Sequence, residues 1–337
     1  MHKRFIQNIL FIILASSSAV AQNIEPMKAE PSKLASKFLL TDIASTGNSV
    51  VAVGERGHIL VSNDGETWQQ ANVPVNVLLT SISFKNEQVG FATGHDATLI
   101  KTVDGGLNWS LVHYEPKLDK PFLSIIANKT NIMAVGAYGL FMSSSDGGDE
   151  WNIEFQDELL LEGDKEYLDE LKEYEPDLYL TERQFMLPHF NDITLISGEY
   201  FLAGEAGFLA TSVDGQNWQR IETDYFGSYF SVIGNGNKLY LAGLRGNLFE
   251  SNDAGLSWQN INTAEPATIN SGYETSEFSF FFANSGNLFY RINNGEMQHH
   301  VFDDGKAILS GLVFDNQLIL ATEAGIKKLD VSELSSK

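Results

Sequence analysis

All five tryptophans of this chain close the same short box of residues. The boxes read SNDGETW at Ser62–Trp68, TVDGGLNW at Thr102–Trp109, SSDGGDEW at Ser144–Trp151, SVDGQNW at Ser212–Trp218 and SNDAGLSW at Ser251–Trp258. Successive tryptophans lie 41, 42, 67 and 40 residues apart. A recurrence of this length marks a chain built from stacked supersecondary units rather than one irregular core, and about 40–45 residues is the period of a four-stranded propeller blade.

The segments between boxes repeat as well. Each unit opens with a short alternating run, as in Leu40–Ser45, Leu79–Phe84, Phe122–Ala127 and Phe190–Leu195, with looser versions at Phe230–Ile233, Phe278–Phe281 and Ile308–Phe314. The sixth run has an alternative position near Ala267–Gly272. A second apolar run ending in glycine follows, then a two-residue turn, a third run into the box, and a fourth strand beginning at the tryptophan. Short period-2 runs with glycine-rich turns at this spacing predict an all-β fold. We read a β-propeller of seven four-stranded blades over residues 40–331, with six and eight as neighbouring counts. The seventh unit lacks an outermost strand, which a segment of residues 23–37 is expected to supply as a ring-closing edge strand, residues 22–39 being otherwise a linker. Residues 332–337 form a tail. The long spacing reflects an insertion at 157–189 between the third and fourth blades, with eleven acidic residues against two lysines from Asp157 to Glu182. Tyr167, Leu168, Leu171 and Tyr174 recur at helical spacing, predicting a short helix over Asp164–Tyr174 that Pro176 ends.

The box aspartates Asp64, Asp104, Asp146, Asp214 and Asp253 invite a metal or acid-catalytic reading. Their local grammar argues for a structural one. A hydroxyl two residues before the carboxylate and a glycine after it describe a turn whose N–H groups the carboxylate accepts. Trp68, Trp109, Trp151, Trp218 and Trp258 would then bury their rings between strands and donate their N–H to backbone. One carboxylate per blade cannot assemble the oxygen shell calcium needs. His299 and His300 are adjacent on a strand and so face opposite sides, which disfavours a shared metal. No cofactor, metal or catalytic residue is expected.

The pattern V-G-x-x-G, apolar strand, [ST]-x-D-G-G-x-x-W is carried best by Val53–Gly57 with Val61–Trp68, and by Val135–Gly139 with Met142–Trp151. It resembles the photosystem II stability and assembly factor-like family of Asp-box (BNR) repeat propellers, related in repeat grammar to sialidase-like propellers. That resemblance implies a non-enzymatic, chaperone-like factor that binds a protein client, a membrane or exported protein, during assembly. The acidic insertion and the two box-less final units depart from the family pattern. The alternative class is a sialidase-like glycosidase or glycan-binding propeller. A sialidase needs three arginines clamping a carboxylate, and after a leader segment the chain offers Arg56, Arg183, Arg220, Arg245 and Arg291.

In a blade the turns between second and third strands share one face with the blade-to-blade linkers, and the boxes occupy the opposite face. Arg56, His95, Asp96, Tyr138, Glu205, Arg245 and Glu323 fall in those turns and form the candidate channel-mouth surface. The insertion joins the same face.

Residues 1–21 read as a cleaved export signal: a charged start at His2–Arg4, an apolar run over Phe5–Ala15 and a small-residue site at Ala19–Ala21. There is no cysteine, which excludes disulfides, a lipidated cysteine and thiolate chemistry. The formal charge of −22 disfavours nucleic acid as a partner. The expectation is a periplasmic or secreted monomer without membrane insertion.

Overall fold

Each repeat folds into one antiparallel sheet whose strands are ordered as they occur in the chain. The computed structural model describes residues 25–263 and 265–335, so the export segment and the last two tail residues lie outside the described residues. Seven sheets form the blades of a β-propeller. Their first strands are Leu40–Ser45, Leu79–Phe84, Phe122–Ala127, Phe190–Ile196, Tyr229–Asn235, Ile269–Glu274 and Ile308–Phe314, and each touches the first strand of the next blade, the last meeting the first. Six blades have four strands and the seventh has three, ending at Gly325–Asp330. In the sixth unit the opening strand is Ile269–Glu274, and Phe278–Ala283 is the second strand. The phenylalanine-rich run there is a second strand because that position is buried on both faces, like Val50–Gly54, Gly90–Gly94 and Ile132–Gly136, all wholly buried.

The repeated V-G-x-x-G has a physical reason. The residue after the first glycine donates its N–H to the carbonyl that precedes its own blade: Glu55 to Leu39 at 3.1 Å, His95 to Leu78 at 2.9 Å, Ala137 to Pro121 at 3.0 Å and Glu205 to His189 at 3.2 Å; in blade 7, where Thr322 replaces that glycine, Glu323 donates to Ala307 at 2.9 Å. The second glycine lies under the linker to the following blade. At Gly207 φ is +72°, and a Cβ there would sit 1.9 Å from the Tyr225 carbonyl oxygen. The turn therefore clamps two linkers, which fixes each blade to the next on this face.

A second device runs round the inner strands. Thr41 and Thr80, each at a bulge after the first strand residue, donate to the carbonyls of Leu79 (2.7 Å) and Phe122 (2.8 Å) in the next blade. The next position carries Asp or Ser. Asp42 accepts from Ile43 N–H (2.8 Å), Ile82 N–H (2.9 Å), Ser81 Oγ (3.0 Å) and Ser310 Oγ (2.8 Å), joining blades 7, 1 and 2. Asp192 joins blades 3, 4 and 5 in the same way through Ser124 and Ser231 Oγ, each at 3.0 Å. Burial raises both carboxyls, against the pull of these bonds.

The N-terminal segment does not form the expected outer strand of blade 7. Residues 25–34 are strand-free and follow blade 1: Ala29 N–H donates to Val73 O (3.1 Å), Ser32 N–H to Gln70 Oε1 (2.7 Å) and Gln70 Nε2 to Glu30 O (3.0 Å). Pro26 and Pro31 remove two ladder donors, which suits an irregular run better than a strand. The following turn, Ala35–Lys37, occupies the place of a linker over blade 7, where a Cβ on Gly325 would be 2.0 Å from Ser36 O.

The insertion holds two helices, α1 (Glu162–Tyr174) and α2 (Pro176–Arg183). Pro176 ends the first and begins the second, since a proline at the first helical position lacks only an N–H that would be unpaired anyway. Leu168 and Leu171 of α1 are buried with Leu159, Leu160 and Leu187 against blades 3 and 4. The tail likewise begins as a short helix, α3 (Val331–Ser335), with Val331 and Leu334 buried against blades 6 and 7. No helix among the described residues is long and apolar enough to cross a membrane.

Candidate functional site

The two faces differ in how much of their polar chemistry is already used. On the box face each carboxylate is consumed by its own turn. The hydroxyl two residues earlier donates to it in every copy, at 3.0 Å from Ser62, 2.9 Å from Thr102, 2.8 Å from Ser144, 3.0 Å from Ser212 and 2.7 Å from Ser251. Backbone N–H groups then converge on the same oxygen, as from Glu66 (2.8 Å) and Thr67 (2.7 Å) to Asp64. Donated N–H bonds from Thr67 and Glu66 hold the Asp64 carboxyl down at about 2. The Ser144 hydroxyl and Glu150 N–H do so for Asp146, and the hydroxyls of Ser257 and Ser251 for Asp253, each to about 2. Asp214 is lowered too, chiefly by Asn217 N–H. These are permanent anions with filled lone pairs, poor acids and poor ligands. Among the described residues no group of three or more acidic or histidine side chains could hold a metal.

The tryptophans depart from expectation in one respect. Trp109 donates its indole N–H to Gly106 O at 2.8 Å, whereas the buried indole nitrogens of Trp151, Trp218 and Trp258 have no acceptor. Their contribution is ring burial: Trp109, Trp151 and Trp218 meet Phe84, Phe91 and Phe141 edge-on. The fourth strand starts at the tryptophan in blade 2 alone; in the other boxed blades it starts one residue later.

The opposite face carries the turns between second and third strands together with the linkers, as their mutual hydrogen bonds require. Arg56, His95, Tyr138, Arg245 and Glu323 are exposed there, and Asp96 and Glu205 are half-buried. Arg56, Tyr138 and Arg245 adopt positive φ (58°, 52° and 56°) at the tip of the turn. Most of the seven stand against their own blade's surroundings. Arg56 lies over the Phe38 ring at 5.2 Å, at a cleft of about 460 Å³ shared with Glu30, His58 and Asn76. Asp96 accepts from the Tyr114 hydroxyl at 3.4 Å, and Glu323 pairs with Lys306 at 3.4 Å. Arg245 lines a smaller cleft with Asn260 and Glu265.

Tyr138 and Glu205 are brought together, in a cleft of about 340 Å³ between blades 3 and 4 and the insertion. His189 bridges them: its ring meets Tyr138 edge-on at 4.4 Å, and its Nδ1 lies 3.6 Å from Glu205 Oε1. Sequence reasoning missed three lining residues of this cleft, Leu161, Phe185 and His189, and Lys120 behind its aromatic rings. Lys120 is buried, which lowers its ammonium pKa; it stands 5.6 Å from the Tyr138 ring and 5.1 Å from the Phe185 ring, and it donates to Gln184 O. Its signal was available, because Lys120 precedes an opening run, in the linker that the turn clamps.

The arginines do not assemble a carboxylate clamp. Arg291 pairs with Glu250 at 2.9 Å, Arg220 donates to Leu159 O at 3.1 Å, Arg183 pairs with Asp157 at 3.6 Å, and Arg56 and Arg245 sit on blades 1 and 5. His299 and His300 also separate, the first stacking on Phe289 and the second meeting Phe302 edge-on.

Known proteins share the repeat and the fold. The family model for photosynthesis system II assembly factor YCF48 matches residues 60–168. The photosystem II assembly lipoprotein Ycf48 of Synechococcus sp. (strain CC9902) is 27% identical over 111 residues, a stretch covering 31% of this chain and 33% of that protein. The chain thus aligns with about a third of that relative's length. Two solved structures share the fold along nearly the whole molecule. YCF48 bound to D1 peptide superposes with a TM-score of 0.64 at 16% identity, over 90% of this chain and 98% of that one. YCF48 from Cyanidioschyzon merolae gives 0.64 at 15% identity, over 92% and 100%. Seven blades, a shared box grammar and the matched repeats make this chain similar, over about a third of its sequence and in its fold, to the photosystem II assembly factor-like Asp-box repeat β-propellers.

Proposed function

We propose that this propeller is an exported, non-enzymatic scaffold that holds a protein client on its linker face during assembly or stabilisation of a larger complex. The observation that carries the reading is the asymmetry of the two faces. The box face spends its carboxylates on its own turns, whereas the linker face presents Arg56 and Arg245 outside any salt bridge of the described residues, together with exposed aromatics and an added acidic insertion. That a relative of the same fold was solved with a peptide bound supports a polypeptide as the ligand class. Export to the periplasm is supported by the leader pattern of residues 1–21 and by a relative described as a lipoprotein, and this chain differs from a lipoprotein in having no cysteine to lipidate.

The test is cross-linked co-purification from cell fractions. The wild-type protein is expected in the periplasmic fraction with a membrane or exported protein attached, and Arg56→Glu with Arg245→Glu is expected to release it. Retention of the same client by the double variant would remove Arg56 and Arg245 from the surface. Recovery of the chain in the cytoplasm would remove the export reading.

A further inference from the structure

The cleft between the insertion and blades 3 and 4 has a wall of one chemical kind and a rim of another. Leu160, Leu187 and Phe208 are buried in it, while Leu161, Phe185 and Tyr138 stand 53%, 55% and 40% exposed at its edge. Large apolar side chains left this open in a cluster normally mark a contact surface. The titratable groups divide by sign. The cations are committed inwards: Arg220 donates to Leu159 O and lies over the Phe208 ring at 5.1 Å, and Lys120 donates to Gln184 O beneath the Tyr138 and Phe185 rings. The carboxylates lie at the cleft: Asp164, and Glu205, whose side chain stays 45% exposed beside His189. Around them the segment from Asp157 to Arg183 holds eleven acidic residues against Lys165, Lys172 and Arg183.

We propose that this cleft receives one large apolar side chain of a client polypeptide, with basic residues of the client on either side of it. This rests on the protein-binding reading above and names its partner chemistry. A volume of about 340 Å³ is at the small end of ligand cavities, room for an aromatic or branched side chain rather than a folded surface. The acidic surround attracts flanking lysines or arginines and repels acidic clients and anionic headgroups, an effect that salt screens. The insertion is the part of the chain that departs from the repeat, so the preference it creates belongs to this protein and not to the propeller as such.

The probe is a short fluorescein-labelled glycine–serine peptide with Lys-Phe-Lys at its centre, followed by anisotropy on the full chain. Saturable binding is expected, weakened about tenfold or more when the phenylalanine becomes serine or the lysines become glutamate, and weakened by added salt. Phe185→Ala should cost about the same as removing the peptide's phenylalanine. Asp164→Asn with Glu205→Gln should leave the phenylalanine preference intact and abolish the lysine preference. Phe185, Asp164 and Glu205 lie at the rim, and unchanged thermal melting will establish that the variants fold. Absence of saturable binding, equal binding of the three peptides, or indifference to the variants overturns the proposal. So does preferential binding to phosphatidylglycerol vesicles lost in Phe185→Ala, which would make the patch a membrane contact. If the natural client is still captured by Phe185→Ala protein, this cleft is wrong and the scaffold reading stands. If the peptide binds as expected but no client is ever captured, the scaffold reading fails instead.

Discussion

Asp64 shows how a residue that looks reactive can be inert. Its carboxylate takes the Ser62 hydroxyl and two backbone N–H groups at 2.7–3.0 Å, and it is held at about 2. An unfolded aspartate titrates near about 3.9. With the folded value depressed, the turn's contribution is fully present above about pH 5 and is lost as pH falls through about 4 to about 2. Asp42 and Asp192 have the opposite sign. Burial raises them, so their contribution is complete below the unfolded value and declines as pH rises through the folded one. We therefore expect urea midpoints to fall between about pH 5 and about pH 2.5, and Asp64→Asn with Asp146→Asn to flatten that fall by lowering stability at neutral pH more than at acid pH. An unchanged acid slope in the double variant would dissociate the boxes from the pH response. The sequence made this role legible, because hydroxyl, carboxylate and glycine at fixed spacing describe a turn. It did not show that three indole N–H groups go unpaired, since acceptor geometry depends on where the neighbouring blade places its backbone.

At the scale of elements, blade count, strand order and the acidic helix were all readable, the last appearing at Glu162–Tyr174 against an expected Asp164–Tyr174. The sixth blade was ambiguous for a physical reason: a phenylalanine-rich run carries no period-2 signal when both its faces are buried, so Phe278–Phe281 and Ala267–Gly272 competed for the opening strand, and the second is realised at Ile269–Glu274. Pro176 ends α1 as expected, and the second helix that it starts is what the residue spacing did not announce. The linker clamp was half legible: glycine pairs mark turns, but which segment presses on them is a tertiary fact. It yields a sharp expectation. Gly207→Ala adds a methyl 1.9 Å from Tyr225 O at φ +72° and should destabilise by about 2–4 kcal/mol, whereas Gly236→Ala, also at positive φ (+63°) but with open space around it, should cost about 1 kcal/mol. Equal losses in chemical denaturation would show that backbone strain alone, and not the linker contact, sets the requirement for glycine.

For the whole molecule, the seven candidate turn residues share a face, but Tyr138 and Glu205 alone among them share a cleft, and the rest of that cleft comes from the insertion, the linker after it, and Ala206, Phe208 and Arg220 of blade 4. Sequence order could assign a face; it could not bring Lys120, Phe185 and His189 together across more than sixty positions. Closure also became visible at this scale. Asp42 ties blade 7 to blade 1 and blade 2, while Asp192 makes equivalent bonds wholly inside the continuous chain. Removing either carboxylate strands buried donors and should cost about 2–4 kcal/mol. Asp42→Ala should in addition raise amide exchange in blades 1 and 7 ahead of the others, and Asp192→Ala should not. Uniform exchange in both variants would show that the seam is no weaker than the other junctions.

The turn Ala35–Lys37 resting on Gly325 has a mechanical meaning. Six junctions of the ring are crossed by continuous polypeptide and the seventh is not, so the molecule is a split washer. Any outward load on its rim concentrates at the split. A ligand that spans blades 7 and 1 would act as a clip across the gap, stiffening the entire disc, while one seated between blades 3 and 4 would leave its hoop strength unchanged.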